Sequence, residues 1–545
     1  MAGRERAVRP AVLAGGVAVV ALVMALAPFL RGALVVAKHE GDTLHLADVV
    51  LRMADFGQLP HLDFMTPIGI GAVWPIAIFA KAGLGLGHAF FAAQTLVAAL
   101  LFLPAIRAAA SRLPGLLAWG LALYVMVLCL AMVHGEANAA ASVSMHYNRW
   151  AWALAYIAVP LALFEPLGRR RPVLDGAIIG LMLAGMAMIK VTYFVAFLPP
   201  IAIALIARRD LRTLGVALAT GLAVAGGLTL GLGFEFWLAY LHDLATVAGS
   251  ETRAAPGVDL GGVMALPAYL LGTLVLLATV ILLRQAGRMT EGMVLLFLVP
   301  SFVYVTYQNY GNDPQWLVLL GLIALALRPE GAISNGFGWR LGPALTLAGV
   351  MALTLGAASV TNLLWSPFRM ALAQPEGLVP LLAKRPQDAD LLVESDRVYR
   401  VGMMTLGHFP GGPYAAFDAR AKLRPQSVLR GETLADCEIT TGVAAWFEAA
   451  AQDLTAAGYG GRAILVADLF SAIWLFGDFK PVEGAAPWYY GGLAGLDAAE
   501  YVLVPLCSTG LEARDGTVKA LDESDLTLTE VRRTPTYILL RPERG

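Results

Sequence analysis

Charge is what this 545-residue chain has least of: Asp, Glu, Lys and Arg make up only 14% of it, while 58% of its residues are hydrophobic. Ordinary soluble domains carry about one-quarter charged residues, so a soluble enzyme is excluded. Positive charge is confined to short clusters with no basic patch beyond them, which excludes a nucleic-acid-binding surface. No Walker loop, dinucleotide fingerprint, metalloprotease helix or serine nucleophile elbow is present. Internal repeats and low-complexity linkers are also missing. Cysteine is limited to three residues: Cys129 in an apolar run, and Cys437 and Cys507 in the polar C-terminal part, where they can pair if that part is outside the cytoplasm.

What the chain does have is apolar runs of the length that crosses a bilayer, about 20 residues. They fall at 11–37, 67–83, 88–106, 114–133, 149–165, 173–189, 191–207, 213–233, 262–283, 290–307, 315–328 and 341–362. Arg4, Arg6 and Arg9 precede the first run, which reads as a retained signal anchor. Basic clusters separate the others: Arg107 and Arg112, Arg169 to Arg171, Arg208, Arg209 and Arg212, Arg284 and Arg288, Arg328 and Arg340. All of these belong in the cytoplasm by the positive-inside rule. That parity holds only if 67–83, interrupted by Pro67, Gly69, Gly71, Pro75 and Gly83, is re-entrant or interfacial. The expected fold is a polytopic α-helical membrane protein of about eleven spans, with its C-terminus outside.

After residue 362 the composition changes to mixed charge with short alternating strands such as "RAILVAD" (462–468) and "EYVLVPL" (500–506). The tail 526–542 reads as a β-hairpin. Residues 1–362 are therefore read as a transmembrane domain and 363–545 as an extracytoplasmic α/β domain. The aromatic stretch "APWYYGG" (486–492) reads as core packing rather than a ligand platform.

A dense polar stretch, "KHEGDTLHLADVVLRMADFGQLPHLDF" (38–64), follows the first span. Within it, Leu44, Val50, Leu51 and Ala54 alternate with His45, Asp48, Arg52 and Asp55. The pattern predicts an amphipathic helix from Thr43 to Phe56, lying in the membrane interface with its apolar side down. Asp42 stands just before it.

This stretch resembles the first external loop of the GT-C membrane glycosyltransferases, which include protein O-mannosyltransferases, the lipid A aminoarabinose transferase and the oligosaccharyltransferase catalytic subunit. That family has an acidic residue after the first transmembrane helix, then a juxtamembrane helix and a glycine, here Gly57. The resemblance puts Asp42 at the catalytic aspartate. The family's adjacent acidic pair is absent, so Glu40 stands as the competing base. Asp63 is a candidate sugar contact. A second similarity is "GLMLAGMAMIKVTYFVAFLPP" (180–200), a glycine-rich helix ending in a lysine, here Lys190. A cation at a membrane position is costly and commonly functional.

Further candidates come from the other external loops. In "HGEANAAASVSMHYNRW" (134–150), His146, Tyr147, Asn148 and Arg149 form a polar cluster in which Arg149 can grip phosphate bidentately. Glu136 is the one acid there, where metal-dependent relatives carry a pair, so a divalent metal is not favoured and no cofactor is expected. Gln308, in the polar and aromatic loop 306–316, and Arg253, in the loop 234–261, complete the candidate substrate contacts.

The resemblance implies an inverting enzyme of the bacterial inner membrane. It would move a sugar from a polyprenyl-phosphate donor to an extracytoplasmic glycan, lipid or protein acceptor. The rival readings are a polysaccharide polymerase or ligase using a diphosphate-linked donor, and a lipid or solute transporter.

Overall fold

The computed structural model describes residues 8–250, 252, 259–308, 313–405, 415–418 and 425–543. Fifteen helices precede the C-terminal region: α1 (Pro10–Leu26), α2 (Glu40–Phe56), α3 (Ile70–Lys81), α4 (Leu86–Arg112), α5 (Gly115–Leu130), α6 (His146–Leu163), α7 (Pro172–Ile189), α8 (Val191–Ala207), α9 (Leu211–Leu232), α10 (Glu235–Ala248), α11 (Leu260–Ala265), α12 (Pro267–Gln285), α13 (Met289–Gln308), α14 (Trp316–Ala326) and α15 (Leu341–Ala371). Among the described residues, seven helices are long and apolar enough to cross a membrane: α1, α4, α7, α9, α12, α13 and α15. This is consistent with a membrane protein.

Several sequence boundaries shift. The first run ends as a helix at Leu26, because Pro28 starts a single 3₁₀ turn and Leu34–Val36 becomes a strand, β1. Helix α15 continues to Ala371, past the expected boundary at 362. The interrupted stretch 67–83 yields only α3, twelve residues long. At 1.5 Å per residue that is about 18 Å, too short to cross a 30 Å hydrocarbon core.

Helices α7 and α9 pack by close backbone approach. A Cβ at Gly176 would lie 2.6 Å from the Thr213 carbonyl, and one at Gly180 would lie 2.4 Å from that of Ala217. The spacing is small-xxx-small, which lets helices touch where lipid provides no hydrophobic drive.

The C-terminal region holds short helices α16 (Ser395–Tyr399) and α17 (Ala415–Asp418), then α18 (Val443–Ala456) and α19 (Leu511–Asp522). Its strands are β2 (Leu378–Pro380), β3 (Leu391–Glu394), β4 (Gly402–Thr405), β5 (Val428–Leu429), β6 (Glu432–Thr433), β7 (Cys437–Thr441), β8 (Ile464–Val466), β9 (Tyr501–Pro505), β10 (Thr527–Arg533) and β11 (Tyr537–Glu543). The main sheet runs β10-β11-β9-β8, with β8 and β9 parallel. The expected hairpin is β10–β11. Apolar residues of β8, β9 and β11, among them Leu465, Val502, Val504, Ile538 and Leu540, form a small core of their own. Cys437 and Cys507 form a disulfide with Cα atoms 4.5 Å apart.

The C-terminal region is tied to the helices in several places, including a strand pairing, a helix cap and hydrogen bonds to a buried ion pair. Strand β1, just after α1, pairs in parallel with β3, and β3 pairs with β2. Asp388 and Asp390 accept the backbone N–H groups of Leu86, Gly87 and His88, capping the N-terminus of α4. Carboxylates there satisfy orphan donors and the positive end of the helix dipole.

The third tie overturns the expectation of an interfacial α2. Both Asp48 and Arg52 are fully buried. Arg52 Nε donates to Asp48 Oδ1 at 2.5 Å, and Arg52 Nη1 donates to the Val482 carbonyl at 2.8 Å. Trp474 Nε1 donates to Asp48 Oδ2 at 3.0 Å. His45, Asp48 and Arg52 of the polar stripe thus face protein, while Asp55 is exposed and pairs with Arg385 at 2.7 Å. Asp42 also lies inside the first turn of α2 rather than before it, since the helix starts at Glu40.

Removing one partner of a buried ion pair leaves an uncompensated charge, typically costing about 3–5 kcal/mol. Arg52→Ala should lower the melting temperature in detergent and expose the region after Ala371 to protease. Asp48→Leu with Arg52→Met should recover much of the loss. An Arg52→Ala protein with wild-type melting and protease resistance would show that the pair does not hold the two parts together.

Candidate functional site

Two helices begin at one place. His39 caps α2 and Met145 caps α6, and both hold left-handed backbone, at φ 65° and 53°. Non-glycine residues in this region cost of order 1–3 kcal/mol and concentrate at functional sites. The paired starts bring Asp42, in the first turn of α2, against the segment leading into α6.

Asp42 Oδ2 accepts a 2.6 Å hydrogen bond from Ser144 Oγ. Ser142 Oγ accepts from Ser144 N at 3.1 Å and lies 3.0 Å from His39 Nδ1. The His39 ring is 4.8 Å from that of His134. Burial lowers the His39 imidazole below its ordinary range, and Lys38 adds to this, while the carboxylates of Asp42, Glu136 and Glu40 oppose it. Asp42, His45, Ser144, Met145, His146 and Tyr147 line a cavity of about 40 Å³, closed on its apolar side by Val49, Ile68 and Val73.

Lys190 sits at the break between α7 and α8, with extended backbone. Its Nζ donates to Asn148 Oδ1 at 3.0 Å and lies 5.3 Å from the centre of the Tyr147 ring. Tyr147 thus lines the cavity that holds Asp42 and also meets the Lys190 ammonium. A cation over an aromatic face is attracted by the ring quadrupole.

The other expected residues take different places. Arg149 is buried and donates to the carbonyls of Val133 and Ala131, so its guanidinium holds the end of α5 and cannot clamp phosphate. His146 Nε2 bonds the Ala72 carbonyl at 2.9 Å, and its ring packs against Trp150 and Phe90. It forms part of the wall of the cavity that holds Asp42. Glu40 is engaged by Arg397 of the C-terminal region through Nε and through Nη2 at 2.8 Å. Asp63 is exposed and caps its own turn, accepting Leu59 N at 2.7 Å. Gln308 is the exposed last residue of α13 and does not line the cavity. Arg253 lies outside the described residues.

Glu136 pairs with Lys38 at 2.7 Å. Among the described residues no group of three or more His, Cys, Asp or Glu is arranged to hold a metal ion. The missing acidic pair also has a steric reason: a Cβ at Gly41 would come within 2.6 Å of the Phe470 ring. In the loop 234–261, residues Glu235–Ala248 form α10, whose Asp243 accepts from Thr66 N at 3.1 Å and lies 2.8 Å from His61 Nδ1. Trp488 of the aromatic stretch packs edge-on against His45 and Phe470.

Ser142, Ser144 and His39 were not candidates from the sequence. The sequence signal for the serines is a pair at i, i+2 just before "MHYNR".

The chain matches no known protein-family model, and no curated protein matches it.

Arg149→Gln should leave two buried carbonyls poorly satisfied, at about 1–3 kcal/mol each. The melting temperature in detergent should fall clearly, whereas Lys190→Gln should leave it nearly unchanged. The reverse order would assign Arg149 to ligand binding and Lys190 to the scaffold.

Proposed function

We propose that this chain is an inverting GT-C-type glycosyltransferase that uses a polyprenyl-phosphate-linked sugar. One observation carries the reading: Asp42 and Tyr147 share one cavity, and Lys190, from a third distant segment, rests on the Tyr147 ring. A carboxylate and an ammonium on either side of an aromatic wall suit a reaction that needs a base and a phosphate partner.

In this mechanism Asp42 takes the proton of the acceptor hydroxyl or amine. The acceptor oxygen or nitrogen forms its bond to the anomeric carbon. The bond from that carbon to the lipid phosphate breaks, and its electron pair leaves on the phosphate oxygen. General-base assistance typically contributes about 10²–10⁴-fold. Lys190 stabilises the leaving phosphate, the kind of charge development where fixed cations matter most. Ser144 orients the Asp42 carboxylate through its 2.6 Å hydrogen bond. With Arg149 removed from the phosphate site, Lys190 carries that role alone. The reaction takes place on the extracytoplasmic face of a bacterial inner membrane, in a chain of about eleven spans by the positive-inside rule. The acceptor is a cell-envelope glycan, lipid or protein.

The test uses the full-length protein in proteoliposomes with a panel of polyprenyl-phosphate sugars, scoring release of polyprenyl phosphate. Asp42→Asn should lower turnover by about 10²–10⁴-fold without lowering expression. Glu40→Gln should keep most of the activity, and Lys190→Met should slow turnover while the protein stays folded. An Asp42→Asn protein that transfers at the wild-type rate would rule out the mechanism. Reporter fusions after residues 110 and 450 should report opposite sides of the membrane.

A further inference from the structure

A second cavity, larger than the one at Asp42, lies at the other end of α6. It occupies about 260 Å³ and is lined by Arg112 of α4, the end of α6, Arg170 and Arg171, Asp175 of α7, Arg208 after α8, Asp210 before α9, and Glu291 of α13. Helix α6 separates it from the Asp42 site by its 18 residues, about 27 Å.

Most of its charges already have partners. Asp175 accepts from both Arg107 and Arg112. Arg112 and Arg208 also donate to the α6 carbonyls of Leu161 and Leu163, and Arg208 pairs with Glu165 at 3.2 Å. Asp210 caps α9 through Thr213 N. Arg170 and Arg171 are different: both are exposed, both line the cavity, and neither has an ion-pair partner among the described residues. Three long helices, α7, α9 and α13, start here and point the positive ends of their dipoles inward. Arg169, Arg209 and Arg212 are exposed within three residues of the lining. Against these stands Glu291, whose carboxylate limits the surplus.

The rim is apolar. Val173, Leu174, Ile206, Leu211 and Met289 are exposed and adjoin lining residues in sequence. A site for a free phosphate has no use for such a rim, whereas a phosphate ester carrying acyl chains does. Basic pockets between membrane helices are a recurring mode of anionic headgroup recognition.

We propose that this cavity binds the headgroup phosphodiester of an anionic phospholipid, with Arg170 and Arg171 on the phosphate and the acyl chains along the apolar rim. The inference stands apart from the glycosyltransferase reading and needs no assignment of sides.

The experiment is thermal unfolding and native mass spectrometry of the purified full-length protein. The probes are phosphatidylglycerol, phosphatidylcholine and inorganic phosphate. Phosphatidylglycerol should bind and raise the melting temperature, with the other two doing neither. Arg170→Gln with Arg171→Gln should weaken phosphatidylglycerol binding by roughly tenfold or more, as expected for two arginines near a phosphate. Both side chains are exposed, so folding should survive. Arg328→Gln with Arg340→Gln, an equal charge change in a separate basic cluster, should leave binding unchanged. Equal losses in the two double variants would replace the site with diffuse surface attraction. Equal binding of phosphatidylcholine, or stabilisation by inorganic phosphate alone, would also overturn the proposal.

Discussion

The buried pair of Asp48 and Arg52 is the constraint on which the rest of the structure depends. Neither side chain reaches solvent, and each takes a further partner from the C-terminal region, at Trp474 and at the Val482 carbonyl. A buried charge without such partners costs several kcal/mol. The pair therefore fixes how α2 rotates about its axis. That rotation decides where Asp42, six residues earlier and in the first turn, directs its carboxylate. Arg397 on Glu40 pins the same end of the helix.

The site follows from this arrangement through backbone rather than through loops that are free to adapt. His39 and Met145 each accept a left-handed conformation so that two helices can start side by side. The strain is held by Ser142 and Ser144, which link the two starts by hydrogen bonds. Lys190 arrives by a different route, at the end of a helix whose Gly176 and Gly180 allow tight packing on α9. Its ammonium meets the Asn148 amide and the Tyr147 ring.

How much of this could be read in advance differs by element. The long apolar helices and the β10–β11 hairpin follow from local pattern and composition, whereas the sequence left the pairing of Cys437 with Cys507 open and the fold brings them together. The place of Lys190 between two helices was legible because a lone cation between two apolar runs is conspicuous. The partners of Arg149 and Glu40 were not. Arg149 resembles a phosphate ligand in the sequence, and only the fold supplies the Val133 and Ala131 carbonyls that occupy it. Glu40 resembles a base in the sequence, and only the fold supplies Arg397, 357 residues away.

The sequence by itself determined that this is a helical, apolar chain with a mixed α/β tail, and that its polar chemistry gathers after the first helix and at the ends of α6 and α7. Those are properties of residue type and spacing, which act over a few turns. The meaning of the α2 stripe was decided only by tertiary structure. An amphipathic period records that one side is polar, but water, headgroups and a buried tryptophan all satisfy that condition. The choice among them came from partners 426 residues apart in the chain, a separation across which local pattern carries no information.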